Sequence, residues 1–254
     1  MILESINMKV LILLPIMFFL IGCASDPIDQ DNTDNCSHFP ANEFIPQSLG
    51  TYQTYNYNLY TNGIVSYQEI RKSIILDTMS YIMNDDQYHL DGMCLLSSQN
   101  NFSVSNYSKY YLTKPDGFYY VGFIFDSNRV FIEPELLYKY PVNAGDSWNF
   151  KILSTGSTKD SIKFLSTVKY SCVSQDEIFV TPYDTFNTVV YGYSYKQASD
   201  VLEYSHTFTY IVSGIGIVGE EYYSSPDTTL SFQDRIKLEL NGRLELIDYC
   251  IMPN

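Results

Sequence analysis

The sequence predicts an all-β fold: a strongly curved antiparallel sheet in the form of an open or half barrel, with a β-sandwich as the alternative. Helical periodicity is scarce after residue 45, where short segments rich in Tyr, Val, Ile, Thr and Phe alternate with turn residues. About eleven such segments with hairpin spacing indicate one antiparallel domain. The chain also holds 24 Tyr, 15 Phe and 1 Trp in 254 residues, and Tyr can bury its ring in such a sheet with the hydroxyl at the rim.

The predicted strands cover residues 51–60, 65–76, 108–113, 118–125, 148–153, 162–171, 177–181, 188–195, 204–212, 217–223 and 230–240. Turns are predicted at Asn62-Gly63, at Lys114-Pro115-Asp116-Gly117 and at Asn241-Gly242, because Gly and Asn adopt positive φ and Pro presets φ. Residues 130–140 predict a single helical turn around Pro134.

The last predicted hairpin has a register that the apolar pattern selects. A two-residue Asn-Gly loop would pair Leu240 with Arg243 and mix the two faces of the hairpin. A three-residue loop over 241–243 pairs Leu240 with Leu244 and Leu238 with Leu246, so that one face is apolar. We therefore expect the three-residue loop.

The N-terminus predicts a signal peptide over residues 1–22. Residues 10–22 are apolar or small and follow Lys9; as a helix they reach about 20 Å, short of the roughly 30 Å hydrocarbon core. The next motif, Leu20-Ile21-Gly22-Cys23, resembles the lipobox of bacterial lipoproteins. The resemblance implies cleavage before Cys23, diacylglycerol on its sulfur, and an acyl chain such as palmitate on the new N-terminus. Two or three acyl chains anchor a protein stably to a membrane.

Charge and composition exclude several classes of protein. The net charge of -14 leaves no basic face for nucleic acid, and the aromatic content excludes global disorder. Residues 23–48 are predicted to form a lipidated acidic tether, followed by a single all-β domain over 49–254. The Asp residues of the tether lack the Gly and terminal Glu of a calcium loop. No acidic residue adjoins Cys23, which favours the outer membrane over inner-membrane retention.

Four cysteines remain after Cys23. Because export places the domain in an oxidising compartment, two disulfides are plausible, with three connectivities open. Cys36 follows the tether and Cys250 closes the last predicted strand, so we favour Cys36–Cys250 together with Cys94–Cys172. Buried unpaired thiols are the alternative. No Cys pair and none of His38, His89 and His206 has metal-ligand spacing, so neither a metal nor a cofactor is expected.

Three motifs look chemical but have plainer interpretations. Residues 214–219 match GxGxxG, yet strand-like residues and a proline follow, so a tight turn or bulge is expected. Ser147 follows Gly145-Asp146, but the downstream Asp-x-x-His of the corresponding esterases is missing. The pairs Glu133/Glu135 and Glu220/Glu221 could supply the acid and nucleophile of a glycoside hydrolase.

A looser pattern runs through the second half of the chain: Pro141 to Gly145-Asp146-Ser147-Trp148, then Val180 to Pro182 and Thr185-Phe186, then Gly214-Ile215-Gly216-Ile217-Val218. This order resembles a group of uncharacterised all-β envelope lipoproteins. The resemblance implies a curved antiparallel sheet, like the half-barrel of lipoprotein carriers, and no known activity. Trp148 is expected to plug the core at the start of a strand, with a ligand platform as the alternative.

The expected function is that of a non-catalytic, membrane-anchored envelope lipoprotein that binds a glycan, a lipid or a protein through an aromatic β face. Trp148, Tyr119 and Tyr193 are the candidate ligand-binding rings. A structural or assembly subunit of an envelope complex is the first alternative, and a carboxylate-pair glycoside hydrolase is the second.

Overall fold

The computed structural model describes residues 36–37, 43–83, 88–100, 104–125, 128–155, 162–196, 204–225 and 232–252. They form a single 12-stranded antiparallel sheet. A 3₁₀ helix, Phe232–Lys237, precedes the last strand. The strands are β1 Tyr52–Thr61, β2 Ile64–Met83, β3 Tyr88–Asn100, β4 Val104–Lys114, β5 Gly117–Phe125, β6 Asn128–Lys139, β7 Ser147–Thr155, β8 Ile162–Val180, β9 Thr185–Lys196, β10 Tyr204–Val212, β11 Gly216–Ser225 and β12 Glu239–Cys250.

The order of strands in the sheet is β6-β5-β4-β3-β2-β1-β12-β11-β10-β9-β8-β7. The first and last strands therefore pair in the middle of the sheet, with Tyr52 opposite Cys250 and Leu59 opposite Gly242. As a consequence, the two edge strands, β6 and β7, follow one another in the chain.

The sheet curves until these two edges meet. The Trp148 indole nitrogen of β7 donates a hydrogen bond to the Leu136 carbonyl oxygen of β6, at 3.1 Å. Lys151 and Glu135 form an ion pair across the same seam, at 2.9 Å. No strand pairing joins β6 to β7 among the described residues, so the sheet is not closed into a barrel. The predicted open, strongly curved sheet is thus confirmed, and the sandwich alternative is not formed.

Several predicted elements match, and the differences have physical causes. Strand β3 was not predicted, since its sequence has few β-branched residues; pairing with β2 and β4 on both sides holds it. Strand β8 unites the predicted strands 162–171 and 177–181, because bulges carry the ladder through the polar residues between them. The helical turn predicted around Pro134 is wrong. Pro134 lies in edge strand β6, where a missing N–H is tolerated.

The predicted C-terminal hairpin is also wrong. Asn241-Gly242 lies inside β12, and Leu240 pairs with Tyr223 of β11 rather than with Leu244. Part of the strand predicted over 230–240 is instead the 3₁₀ helix. Gly242 is buried, and a Cβ there would come within 3.1 Å of the Tyr222 ring. Two long neighbouring strands, β1 and β11, thus outweigh the local turn preference of Asn-Gly.

The cysteines follow one of the two expected pairings. Cys36 and Cys250 form a disulfide, and backbone hydrogen bonds between Ser37 and Ile251 extend the contact. Cys172 is a buried thiol outside any disulfide, so the pairing of Cys94 with Cys172 is wrong. Burial, followed by the charge of Asp146, raises the pKa of the Cys172 thiol to about 11.

Residues assigned above to the tether pack on the sheet. Phe44 is buried, and its ring stacks on that of Tyr140 with centroids 4.1 Å apart. Together with Cys36, this contact attaches the end of segment 23–48 to the body. The lipobox and Cys23 lie outside the described residues. In the part of the chain that the structure describes, no helix has the length and apolar character needed to cross a membrane.

Candidate functional site

The curved sheet and the segment before β1 enclose a cavity of about 330 Å³, at the lower end of the size range of small-molecule sites. Nine strands and residues 45–51 contribute to it. Its lining is Ile45, Pro46, Thr51, Tyr52, Gln53, Ser73, Ile75, Lys109, Tyr111, Phe118, Leu137, Tyr138, Tyr170, Tyr193, Thr207, Ile215, Ile217, Glu220 and Tyr222.

One wall of the cavity belongs to a cross-strand row. In order from β11 to β7, Tyr222 lies opposite Thr207, Thr207 opposite Tyr193, Tyr193 opposite Tyr170, and Tyr170 opposite Trp148. Directly opposed residues of an antiparallel ladder share one face of the sheet. The Tyr170 and Tyr193 rings stack with centroids 4.6 Å apart, and Trp148 stacks on Tyr170 at 6.1 Å.

The facing wall comes from β4, β5 and β6. The Tyr111 ring stacks on Phe118 at 4.9 Å, and Phe118 stacks on Tyr138 at 6.2 Å. Tyr138 then meets Tyr170 edge-to-face at 6.4 Å, so the two walls join into a continuous aromatic lining. Tyr138 and Tyr170 are both buried, which raises the pKa of each hydroxyl well above its ordinary value.

Glu220 brings a carboxyl group into this aromatic lining. The Thr209 hydroxyl donates to Oε1 at 3.4 Å, and the Tyr222 hydroxyl donates a short hydrogen bond to Oε2. Burial raises the pKa of Glu220, while these hydroxyls and the more distant charges of Lys109 and Arg71 act in the opposite direction. No Lys or Arg among the described residues lies within ion-pair distance of Glu220.

The adjacent acid, Glu221, belongs to a different environment. Its carboxylate accepts hydrogen bonds from Tyr210 at 2.6 Å and from Tyr223 at 2.8 Å, and it lies 3.5 Å from Arg243. Alternation along β11 thus places Glu220 and Glu221 on opposite faces of the strand. Among the described residues that line the cavity, Glu220 carries the one carboxyl group, and neither Glu133 nor Glu135 is among them. The structure brings neither predicted carboxylate pair together in this cavity.

The three candidate ligand-binding rings occupy different places. Tyr193 lines the cavity. Trp148 ends the cross-strand row at the β6–β7 seam and is held there by its bond to Leu136. Tyr119 points away from Phe118 and the cavity: its hydroxyl donates to Asp116 at 2.7 Å, and burial raises its pKa to about 12. Sequence reasoning missed Tyr138 and Tyr170. It named Glu220 only as one member of a carboxylate pair and not as a single carboxyl group in the cavity.

The remaining motifs have structural roles. Gly214 and Gly216 have positive φ and make the turn between β10 and β11, as expected for the GxGxxG segment. Gly145-Asp146 forms the turn before β7. Asp146 Oδ2 accepts hydrogen bonds from Lys139 and the Asn143 amide, which lower its pKa. Among the described residues, no group of three or more His, Cys, Asp and Glu side chains is arranged to hold a metal ion.

Comparisons with known proteins give two structural likenesses. A protein assigned as exported, with a YmcC-like fold, from Bacteroides fragilis has 14% identity and a TM-score of 0.44, over 82% of this chain and 99% of its own. A protein assigned as a lipoprotein, from Parabacteroides distasonis, has 13% identity and a TM-score of 0.42, over 83% of this chain and 100% of its own. No protein-family model and no curated protein matches the sequence.

Proposed function

We propose that this protein is a lipid-anchored protein of the bacterial cell envelope, at the outer membrane, that binds a small ligand without transforming it. The observation that carries the proposal is the continuous aromatic lining of a cavity of about 330 Å³. Tyrosine faces contribute large contact areas, and their hydroxyls supply the few polar contacts that orient a ligand.

The placement of the rings favours a ligand that enters the fold over a partner that covers it. Tyr138 and Tyr170 are buried, and Tyr193 stacks on Tyr170 inside the curved sheet. A partner protein could not reach these faces without opening the sheet. A molecule about the size of one or two sugar rings, or part of a lipid, fits a volume at the lower end of the usual range.

The cavity proposal is tested by filling the cavity. Ser73 of β2 lines it, and a Trp at this position would occupy much of the space. We expect native mass spectrometry of protein purified from its own envelope to show a bound small molecule in the wild type and none in Ser73→Trp. The matched control is Ser66→Trp, on the exposed part of the same strand, which should keep the ligand.

Two results would count against the cavity proposal. One is a wild-type protein that carries no small molecule and is not stabilised against heat by palmitate, oligosaccharides or organic cations. The other is a ligand that Ser73→Trp retains with unchanged occupancy while circular dichroism shows an intact sheet.

The anchoring proposal is tested at Cys23. Cys23→Ala removes the sulfur that would carry diacylglycerol, so the protein should move from the membrane fraction to the soluble fraction, because the acyl chains that would anchor it are missing. Fractionation followed by mass measurement of the N-terminal peptide checks both location and acylation. An unacylated wild-type Cys23, or a membrane partitioning that Cys23→Ala leaves unchanged, contradicts the lipoprotein assignment.

A further inference from the structure

We propose that the cavity selects a ligand with an organic cation, such as a quaternary or primary ammonium group, whose charge is balanced by Glu220. This inference rests on the proposed ligand-binding function and names the chemistry of its ligand. It follows from three features of the cavity: an acid that forms no ion pair with any described residue, unused acceptor positions on that acid, and walls of aromatic rings.

The first feature is the charge. In the lining that the described residues form, Glu220 is the one acidic residue and Lys109 is the one basic residue. Lys109 is exposed and makes no ion pair with Glu220. Holding a carboxylate away from water is costly unless an opposite charge accompanies it. A cation in the cavity would lower this cost, whereas a neutral ligand would increase it by displacing water.

The second feature is the hydrogen bonding of the carboxyl group. Thr209 donates to Oε1 and Tyr222 donates to Oε2, so each oxygen has one donor from the part of the chain that the structure describes. An ionised carboxylate offers about four acceptor positions, which leaves room for donors or positive charge from a ligand. The two hydroxyl bonds also fix the carboxyl group, because Tyr138 in turn donates to the Thr209 oxygen at 3.4 Å.

The third feature is the set of ring faces. A cation within about 6 Å of a ring centroid is attracted by the negative face of the ring. The chain uses this contact with its own cations nearby: the Arg71 guanidinium lies 3.5 Å from the Tyr57 centroid, and the Lys72 ammonium lies 4.0 Å from that of Tyr52. A cationic ligand beside Glu220 would meet the rings of Tyr222 and Tyr193 in the same way.

The experiment compares two probes of equal shape. Choline carries a quaternary ammonium, and 3,3-dimethylbutan-1-ol replaces its nitrogen by carbon and is neutral. Isothermal titration at pH 8 is expected to show choline binding at least tenfold more tightly than the alcohol. Glu220→Gln should remove this preference by weakening choline binding at least tenfold. The control is Glu239→Gln, an exposed acid of β12, which changes the net charge equally and should leave binding unchanged.

The pH dependence has a defined sign. Choline affinity should fall as the pH is lowered from 8, because Glu220 becomes protonated. Since burial raises the pKa of Glu220, this fall should begin at pH values above the ordinary glutamate range. Choline has a fixed charge, so the loss reports on the protein. The other ionisable groups that act on this site include Tyr55, Tyr57, Tyr138, Tyr170 and Tyr222, which stay neutral over that range because burial raises the pKa of each hydroxyl. Lys109 and Arg71 are the basic residues whose charges act on Glu220.

The outcomes separate this inference from the proposal on which it rests. Equal affinity for choline and the alcohol, choline binding unaffected by Glu220→Gln, or no binding of either probe would overturn the cation inference. The mass-spectrometric comparison of wild type with Ser73→Trp would still decide whether the cavity binds a ligand at all.

Discussion

Cys36→Ala is expected to lower the free energy of unfolding by about 2–5 kcal/mol, among the largest effects of any single substitution in this protein. The Cys36–Cys250 disulfide joins residues separated by 214 positions, so it restricts the unfolded chain over most of its length. It also fixes the segment before β1 to the middle of the sheet, because Cys250 ends β12, and β12 pairs there with β1. Denaturant unfolding of wild type and variant measures the difference.

Reduction provides the control for this prediction. Dithiothreitol should lower the unfolding midpoint of the wild type to that of Cys36→Ala and leave the variant itself unchanged. Cys172→Ala removes a buried thiol outside any disulfide and should cost less, since it changes only local packing. Equal midpoints for wild type and Cys36→Ala, both insensitive to the reductant, would contradict a stabilising role of the disulfide.

Gly219→Ala is expected to destabilise the fold by about 3 kcal/mol through overpacking. A Cβ at this position would lie 2.1 and 2.4 Å from two carbons of the Phe179 ring and 3.0 Å from the Leu244 carbonyl oxygen. The ring has no free side to move towards, because it is buried, stacks on Tyr210 at 3.9 Å and lies beneath the Arg243 guanidinium at 4.9 Å. The last glycine of the GxGxxG segment is therefore needed for packing.

A double-mutant cycle tests this cause directly. Phe179→Ala alone should cost about 3–5 kcal/mol through the cavity that it leaves. With the ring gone, Gly219→Ala should add little, so that the double variant is about as stable as Phe179→Ala. Costs of the two substitutions that add within about 0.5 kcal/mol would show that the contact with Phe179 is not responsible.

The sequence signals that succeeded are those whose cause is local. Asn62-Gly63 makes the β1–β2 turn, with Asn62 at a φ of 53° and Gly63 at 73°, and Pro115-Asp116 lies in the β4–β5 turn. The same dipeptide at Asn241-Gly242 fails as a turn signal, because β1 and β11 pair with both sides of the strand that contains it. A turn preference is decided within four residues, whereas strand continuation depends on neighbours far along the chain.

The candidate site was less predictable than the fold for a related reason. Alternation shows that Glu220 and Tyr222 share one face of β11 and that Tyr191 and Tyr193 share one face of β9. It does not show which face is concave, or that Tyr193 lies opposite Tyr170. Those facts depend on registers and bulges, such as the shift between Tyr210 and Ile211, that a period of two residues does not contain.

The sequence by itself determined the all-β class, the curved antiparallel sheet and two of its turns, because composition and periodicity carry that information. Only the tertiary structure decided that β6 and β7 are the edges that meet, that Cys172 stays outside a disulfide, and that Glu220 faces the aromatic cavity while Glu221 faces away. The physical reason is that each strand sets the alternation of its own side chains, while long-range pairing selects which of the alternating faces come together.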